Sequence, residues 1–290
     1  MTTNMTATKN IVLMGLPATG KTSFLAALWY LVQHSQIASS LRLEKLEGDS
    51  KYLNQISKAW AAYEPVPHTR IDSETVVSML LKDVRTNQTL KLSFPDLSGE
   101  SFTLQWTMRQ FTQGYDAFLR SASGGILFIS PLRYLKPIRI DQANPLIEEI
   151  LGGQQTQEPL QDRSAPLKPW NPERTPTQVQ LVELLQFISG RDYFDPPFRL
   201  AVVISAWDKP SQLNTSPVEW LANEFPLFHQ FLSSNQKAFN TAIYGLSAQG
   251  GDYSQRDALV DKTPSDRIEV VGIGISNSHD LTEPLQWLMR

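Results

Sequence analysis

The sequence predicts an α/β protein: a doubly wound, mostly parallel sheet with one antiparallel hairpin strand and helices on both faces. Three observations predict it. Short, almost wholly apolar runs such as Asn10–Met14, Gly125–Ser130 and Phe198–Ser205 suit strands buried on both faces. Helical patterns alternate with these runs, the order that gives parallel pairing through crossovers. Two β-like runs, Thr75–Val84 and Thr89–Phe94, are separated by Arg85-Thr86-Asn87-Gln88 alone, which suits a hairpin and is too short for a crossover.

Taken in order, the strand Asn10–Met14 is stopped by Gly15, and a helix follows over Thr22–Gln33 with Phe24, Leu25, Leu28, Trp29 and Val32 on helical spacing. Glu44–Tyr63 reads as a second, more polar helix. Pro65 and Pro67 break that pattern, and the chain to Asp72 reads as a loop before the hairpin. Thr103–Arg120 reads as one helix, and Gly125–Ser130 as a strand ended by Pro131. Val179–Ile188 is an apolar helix. Pro217–Leu232 is a helix with Leu221, Phe225, Phe228 and Leu232 as its stripe. Thr241–Leu246 and Arg267–Ile275 read as strands, and Glu283–Met289 as a closing helix. The stretches at about 131–176 and 250–266 are polar or rich in Pro and Gln, and read as insertions into a single domain spanning 1–290.

Composition narrows the function classes. Apolar residues make up 41% of the 290, enough for a large core. A net charge of −3 without a basic block gives no electrostatic reason to expect a nucleic acid. The chain has no cysteine, which excludes disulfides, thiolate chemistry and cysteine zinc sites, and its four histidines have no ligand spacing. Neither a signal core nor a run long enough for membrane insertion is visible, so a cytoplasmic protein is the expectation.

One motif carries chemistry by itself. Gly15-Leu16-Pro17-Ala18-Thr19-Gly20-Lys21-Thr22 fits G-x-x-x-x-G-K-[ST] at every position, between an apolar strand and a helix. Glycines there let successive backbone N–H groups turn inward on a phosphate at the positive end of the helix. Lys21 would reach the β- and γ-phosphates, Thr22 would ligate Mg²⁺, and Ser23 follows on the same turn. Further along, Phe94-Pro95-Asp96-Leu97-Ser98-Gly99-Glu100 closes the second hairpin strand with D-x-x-G. In a switching nucleotidase the aspartate holds the metal, and the glycine N–H senses the γ-phosphate.

With these residues in this order, the sequence resembles the translation-factor-related class of P-loop GTPases, outside the two insertions. The resemblance implies GTP or GDP as the bound nucleotide with Mg²⁺, held by Thr22, Asp96 and Thr69. Thr69 lies in the loop before the first hairpin strand, with Thr75 as the alternative. The class often has glutamine after D-x-x-G to orient the attacking water. Glu100 stands there, as a water-positioner or as a surface acid, and its charge implies slow hydrolysis. Catalysis is thereby assigned to Lys21, Glu100 and Thr69. Guanine recognition in the class uses [NT]-K-x-D, which here reads Ser205-Ala206-Trp207-Asp208. Asp208 keeps the base-reading carboxylate, Ala206 replaces the base-covering lysine, and Trp207 is either a core residue or a stacker. Ser247-Ala248, after the next strand, matches the place where a backbone N–H meets guanine O6. The phrases around Asp96 and Asp208 further resemble the bacterial double-GTPase group. That likeness implies protein partners in multi-protein, defence-type systems. A non-hydrolysing GTP/GDP assembly module and an ATP-dependent nucleotidase or kinase are the other readings.

Overall fold

The structure, a computed structural model, describes residues 8–34, 39, 41–48, 50–66, 77–94, 100–137, 171–190 and 194–290. Its strands are β1 (Lys9–Met14), β2 (Leu41–Glu47), β3 (Val77–Asp83), β4 (Thr89–Phe94), β5 (Gly124–Ile129), β6 (Phe198–Ile204), β7 (Phe239–Ser247), β8 (Glu269–Gly272) and β9 (Ile275–Ser278). They form one sheet in the order β2-β3-β4-β1-β5-β6-β7-β8-β9. The central pairings from β4 to β7 are all parallel. β3 is antiparallel to both its neighbours, and so is β8. Two strands therefore run against the rest, where the sequence predicted one. The second reversal arises because the expected strand Arg267–Ile275 folds back on itself. Gly274, at φ +71, makes the turn between β8 and β9.

The described helices are α1 (Lys21–His34), α2 (Ser50–Ala61), α3 (Glu100–Met108), α4 (Gln113–Ser121), α5 (Thr177–Ser189), α6 (Pro217–Glu224), α7 (Pro226–Ser234), the single turn α8 (Arg256–Leu259) and α9 (Glu283–Met289). They cover both faces of the sheet, and the central strands show why. Ile11 and Leu13 of β1 enter one core with α1, α2 and α9, while Val12 and Met14 enter a second core with α4 to α7. β5 divides in the same way, Ile126 and Phe128 against Leu127 and Ile129. A strand that feeds a core on each side has no face left for a polar residue.

Three expected helices come out differently. Glu44–Tyr63 is a strand followed by a helix, because β2 takes the Glu- and Lys-rich start of that stretch as an edge strand. A register shift between Leu43 and Lys45 breaks the apolar alternation that would have announced it. Thr103–Arg120 is two helices. Arg109 adopts a left-handed φ of 58°, and Thr112 starts α4 by accepting the Tyr115 amide on its side chain at 3.3 Å. Pro217–Leu232 divides at Pro226, which has no N–H to continue the ladder of α6. Most of the expected insertion at 131–176 lies outside the described residues. The stretch 250–266 is described and packs closely: Tyr63 donates to the Asp252 carbonyl at 2.8 Å, and Tyr253 to that of Glu64 at 3.2 Å.

Candidate functional site

β1, β5, β6 and β7 deliver their carboxyl ends to one edge of the sheet, and the loops that leave them there bound a single cleft. Crevices outside the carboxyl ends of parallel strands are where open α/β sheets bind ligands.

The loop after β1 turns through three positive φ angles, 144° at Gly15, 58° at Ala18 and 91° at Gly20. Gly15 is required twice over. Besides its φ, a Cβ there would lie 2.8 Å from Thr19 Oγ1 and 2.9 Å from the Phe128 carbonyl. A Cβ on Gly20 would meet the Ser205 side chain at 3.0 Å. Thr19 closes the loop by donating from Oγ1 to the Leu16 carbonyl at 2.8 Å. Lys21, only 2% exposed, folds its ammonium back into the loop and donates to the carbonyls of Gly15 at 2.6 Å and Leu16 at 2.8 Å. A buried ammonium needs such acceptors. The result is a fixed cation inside the loop that leads into the N-terminus of α1, a place that suits an anion. Thr22 and Ser23 are partly exposed on the first turn, while Pro17 and Ala18 are exposed at the loop's tip.

At the other end of the cleft, the chain after β6 is pinned by Ser205, which donates its N–H at 2.9 Å and its hydroxyl at 3.2 Å to the Ile129 carbonyl. Ala206 adopts a left-handed φ of 44°, and Trp207 turns inward. It is 1% exposed and fills the space beside Gly245, where an added Cβ would fall 2.2 Å from its ring. Trp207 is thus a core residue. Asp208 faces the cleft and accepts the Ser247 hydroxyl on Oδ1 at 2.6 Å. Its Oδ2 lies 3.7 Å from the Lys209 ammonium. Ser247, fully buried, also accepts the Gly250 amide at 3.0 Å, so one hydroxyl fixes both the carboxylate and the turn after β7. Across the β7–β8 pairing, Glu269 stands opposite Ser247. Burial, and then the Asp208 carboxylate, push its carboxyl above the usual range.

A cleft of about 250 Å³ joins the two ends. Ala18, Gly20 and Ser23 line it on the cradle side, and Asp208, Ser247 and Ala248 on the other. The structure thus gathers the cradle, Asp208 and Ser247-Ala248 around one space. Thr69, Thr75, Asp96 and Gly99 lie outside the described residues. Glu100 begins α3, and nothing is described of its side chain. Among the described residues, no group of three or more His, Asp or Glu could hold a metal, and Thr22 is the described member of the expected magnesium set. Lys209 lines the cleft without having been expected there. Its signal was a lysine directly after the aspartate expected to read the base, displaced from the position Ala206 occupies. Asp252 and Tyr253 also line the cleft, although nothing in their polar surroundings announced it. Among the described residues no helix is long and apolar enough to cross a membrane.

No curated protein matched this chain. Among solved structures, nucleolar GTP-binding protein 1 of Plasmodium falciparum is similar at 13% identity and a TM-score of 0.37, over 90% of this chain and 88% of that one. The G domain of the T. maritima FeoB iron transporter is similar at 10% identity and a TM-score of 0.30, over 82% and 88%. The family model for Double-GTPase 1 matches residues 12–288, from within β1 to the last turn of α9. The chain belongs to the Double-GTPase 1 family.

Proposed function

We propose that this chain binds guanine nucleotide with Mg²⁺ and hydrolyses GTP slowly, acting as a cytoplasmic switch within a bacterial multi-protein system. The observation that carries the reading is the single cleft joining the amide cradle and Lys21 to Asp208, Ser247 and Ala248. An anion-binding loop and a base-reading carboxylate at opposite ends of one space match the two ends of a nucleotide. Membership in a double-GTPase family supports guanine as the base.

The roles follow from the chemistry of each group. Lys21 and the backbone N–H groups of the Gly15–Ser23 loop, which Pro17 lacks, hold the phosphates and neutralise the charge that grows as the terminal phosphate leaves. Thr22 and Asp96 are the residues that would hold Mg²⁺, joined by Thr69 while the γ-phosphate is present. Gly99 would sense that phosphate, and Glu100 would orient the attacking water. The two oxygens of Asp208 suit the N1–H and C2 amine of guanine, with Ser247 holding the carboxylate in place. The Ala248 N–H would meet O6.

Titration with GDP, GTP and ATP, with and without Mg²⁺, tests the reading. Tight binding confined to guanine nucleotides is expected. Lys21→Ala should abolish it while far-UV circular dichroism stays unchanged. Wild-type affinity in a folded Lys21→Ala variant would overturn the claim. Glutamate at position 100 favours a second reading, a GTP or GDP holder without hydrolysis. Its carboxylate places negative charge where a neutral amide would orient water. A single-turnover assay separates the two, because only the switch releases phosphate.

A further inference from the structure

We infer that Trp60, at the end of α2, is a positioning residue for the nucleotide base. It acts by holding the Ala248 carbonyl, so that the turn carrying Ala248 is preset before a base arrives. The inference rests on the proposed contact between the Ala248 N–H and guanine O6. It concerns a residue distant in sequence from every base-recognition motif.

Trp60 is completely buried, and its indole N–H donates to the Ala248 carbonyl at 2.8 Å in a buried setting. Ala248 is itself 7% exposed and lines the cleft. The turn is thus held on both sides of this residue, by the Ser247 hydroxyl before it and by Trp60 after it. A second chain of contacts closes the same ring. Gly250 sits against the backbone of Arg267, where an added Cβ would come within 2.3 Å of the Arg267 carbonyl. The Arg267 side chain then returns to α2, donating to the carbonyls of Trp60 at 3.2 Å and Ala61 at 3.1 Å. Its guanidinium stacks 5.0 Å from the Trp60 ring and 5.2 Å from that of Tyr63.

Arg267 is a costly way to hold a helix end. It is 3% exposed, and among the described residues its Nε and Nη1 have no hydrogen-bond partner. Burying a cation so incompletely paired is expensive, and only the helix C-terminus and two ring faces compensate it. The group fixes the end of α2, from which Trp60 reaches across to the turn after β7. A turn preset in this way loses less conformational freedom when a base docks, so more of the contact energy appears as affinity and discrimination.

The test compares GTP with 6-thioguanosine triphosphate, which keeps the N1–H and C2 amine and changes only atom six. Wild type should prefer GTP several-fold, because sulfur is the weaker acceptor. Trp60→Phe keeps an aromatic ring and removes the donor. It should weaken GTP binding roughly tenfold, the weight of one well-placed hydrogen bond, and bring the GTP-to-thio ratio towards one. Equal weakening of both nucleotides, with the ratio kept, would mean that Trp60 only supports the fold, and the proposal would be wrong. A wild-type ratio of one would show that Ala248 does not read atom six, and the inference falls with that reading. If Trp60→Phe does not fold, benzothienylalanine at position 60 replaces the N–H by sulfur at nearly constant shape and carries the same comparison.

Discussion

Asp208 shows how much a single side chain is asked to do. Its carboxylate is 14% exposed, and the Ser247 hydroxyl already occupies one lone pair of Oδ1. The remaining acceptor sites match a base that offers two donors side by side. Changing Asp208 to Asn leaves one acceptor and adds one donor, a pattern that fits the N1–H and C2 carbonyl of xanthine. The expected outcome for Asp208→Asn is a loss of GTP affinity of tenfold or more with a gain for xanthosine triphosphate, read by competition binding. Unchanged GTP affinity would remove Asp208 from base recognition. Lys209 sharpens the contrast: its ammonium is 3.7 Å from Oδ2, so the amide N–H of the variant would be turned towards a cation.

At the scale of elements, β7 and the segment after β6 are shaped to each other through Gly245 and Trp207. A Cβ at position 245 would be 2.2 Å from the Trp207 ring, and the indole has no room to retreat at 1% exposure. Gly245→Ala should therefore destabilise the protein by about 1–3 kcal/mol, the usual cost of overpacking a filled core. The same substitution in α4 should act in the opposite direction. Gly114 has nothing within 4 Å of a Cβ, and alanine in a helix is worth about 0.5–1 kcal/mol over glycine. Urea midpoints moving down for the first variant and up for the second would confirm that fit, rather than composition, sets the sign. A Gly245→Ala midpoint equal to wild type would contradict the packing described.

For the whole molecule, the consequence is linkage between ligand and stability. The cleft is built from the ends of four strands plus the 250–253 stretch, and that stretch is tied to the residues just after α2 through Tyr63 and Tyr253. A nucleotide that spans it binds only the folded chain, and mass action then stabilises the fold by about 2.7 kcal/mol at a hundredfold excess over Kd. Thermal unfolding should shift upward by several degrees with GDP or GTP, and by much less with ATP at the same concentration. A shift of equal size with ATP would transfer the site to a nucleotidase that does not choose its base.

The sequence by itself determined the α/β class, the central strands and the family. Short runs that are apolar at almost every position, bounded by turn residues, suit central strands. A loop that must bend through positive φ leaves glycines at set intervals, so Gly15–Thr22 was legible as a motif. The family model over 12–288 bears out the family resemblance that the motif carried. What the tertiary structure alone decided was everything that depends on distant partners. β2 is a strand because β3 pairs with it, against the local preference of a Glu- and Lys-rich segment. α3 and α4 part at Arg109, whose left-handed φ carries no reliable residue signal outside glycine and asparagine. Lys209 reaches the cleft because Ala206 turns the backbone, and the inward turn of Trp207 settles its place in the core. Trp60 and Arg267 grip the turn after β7 from sequence separations of 188 and 17 residues respectively, as positions 60, 248, 250 and 267 show. Periodicity records which face of an element is buried, and it holds no information about which buried donor meets which carbonyl.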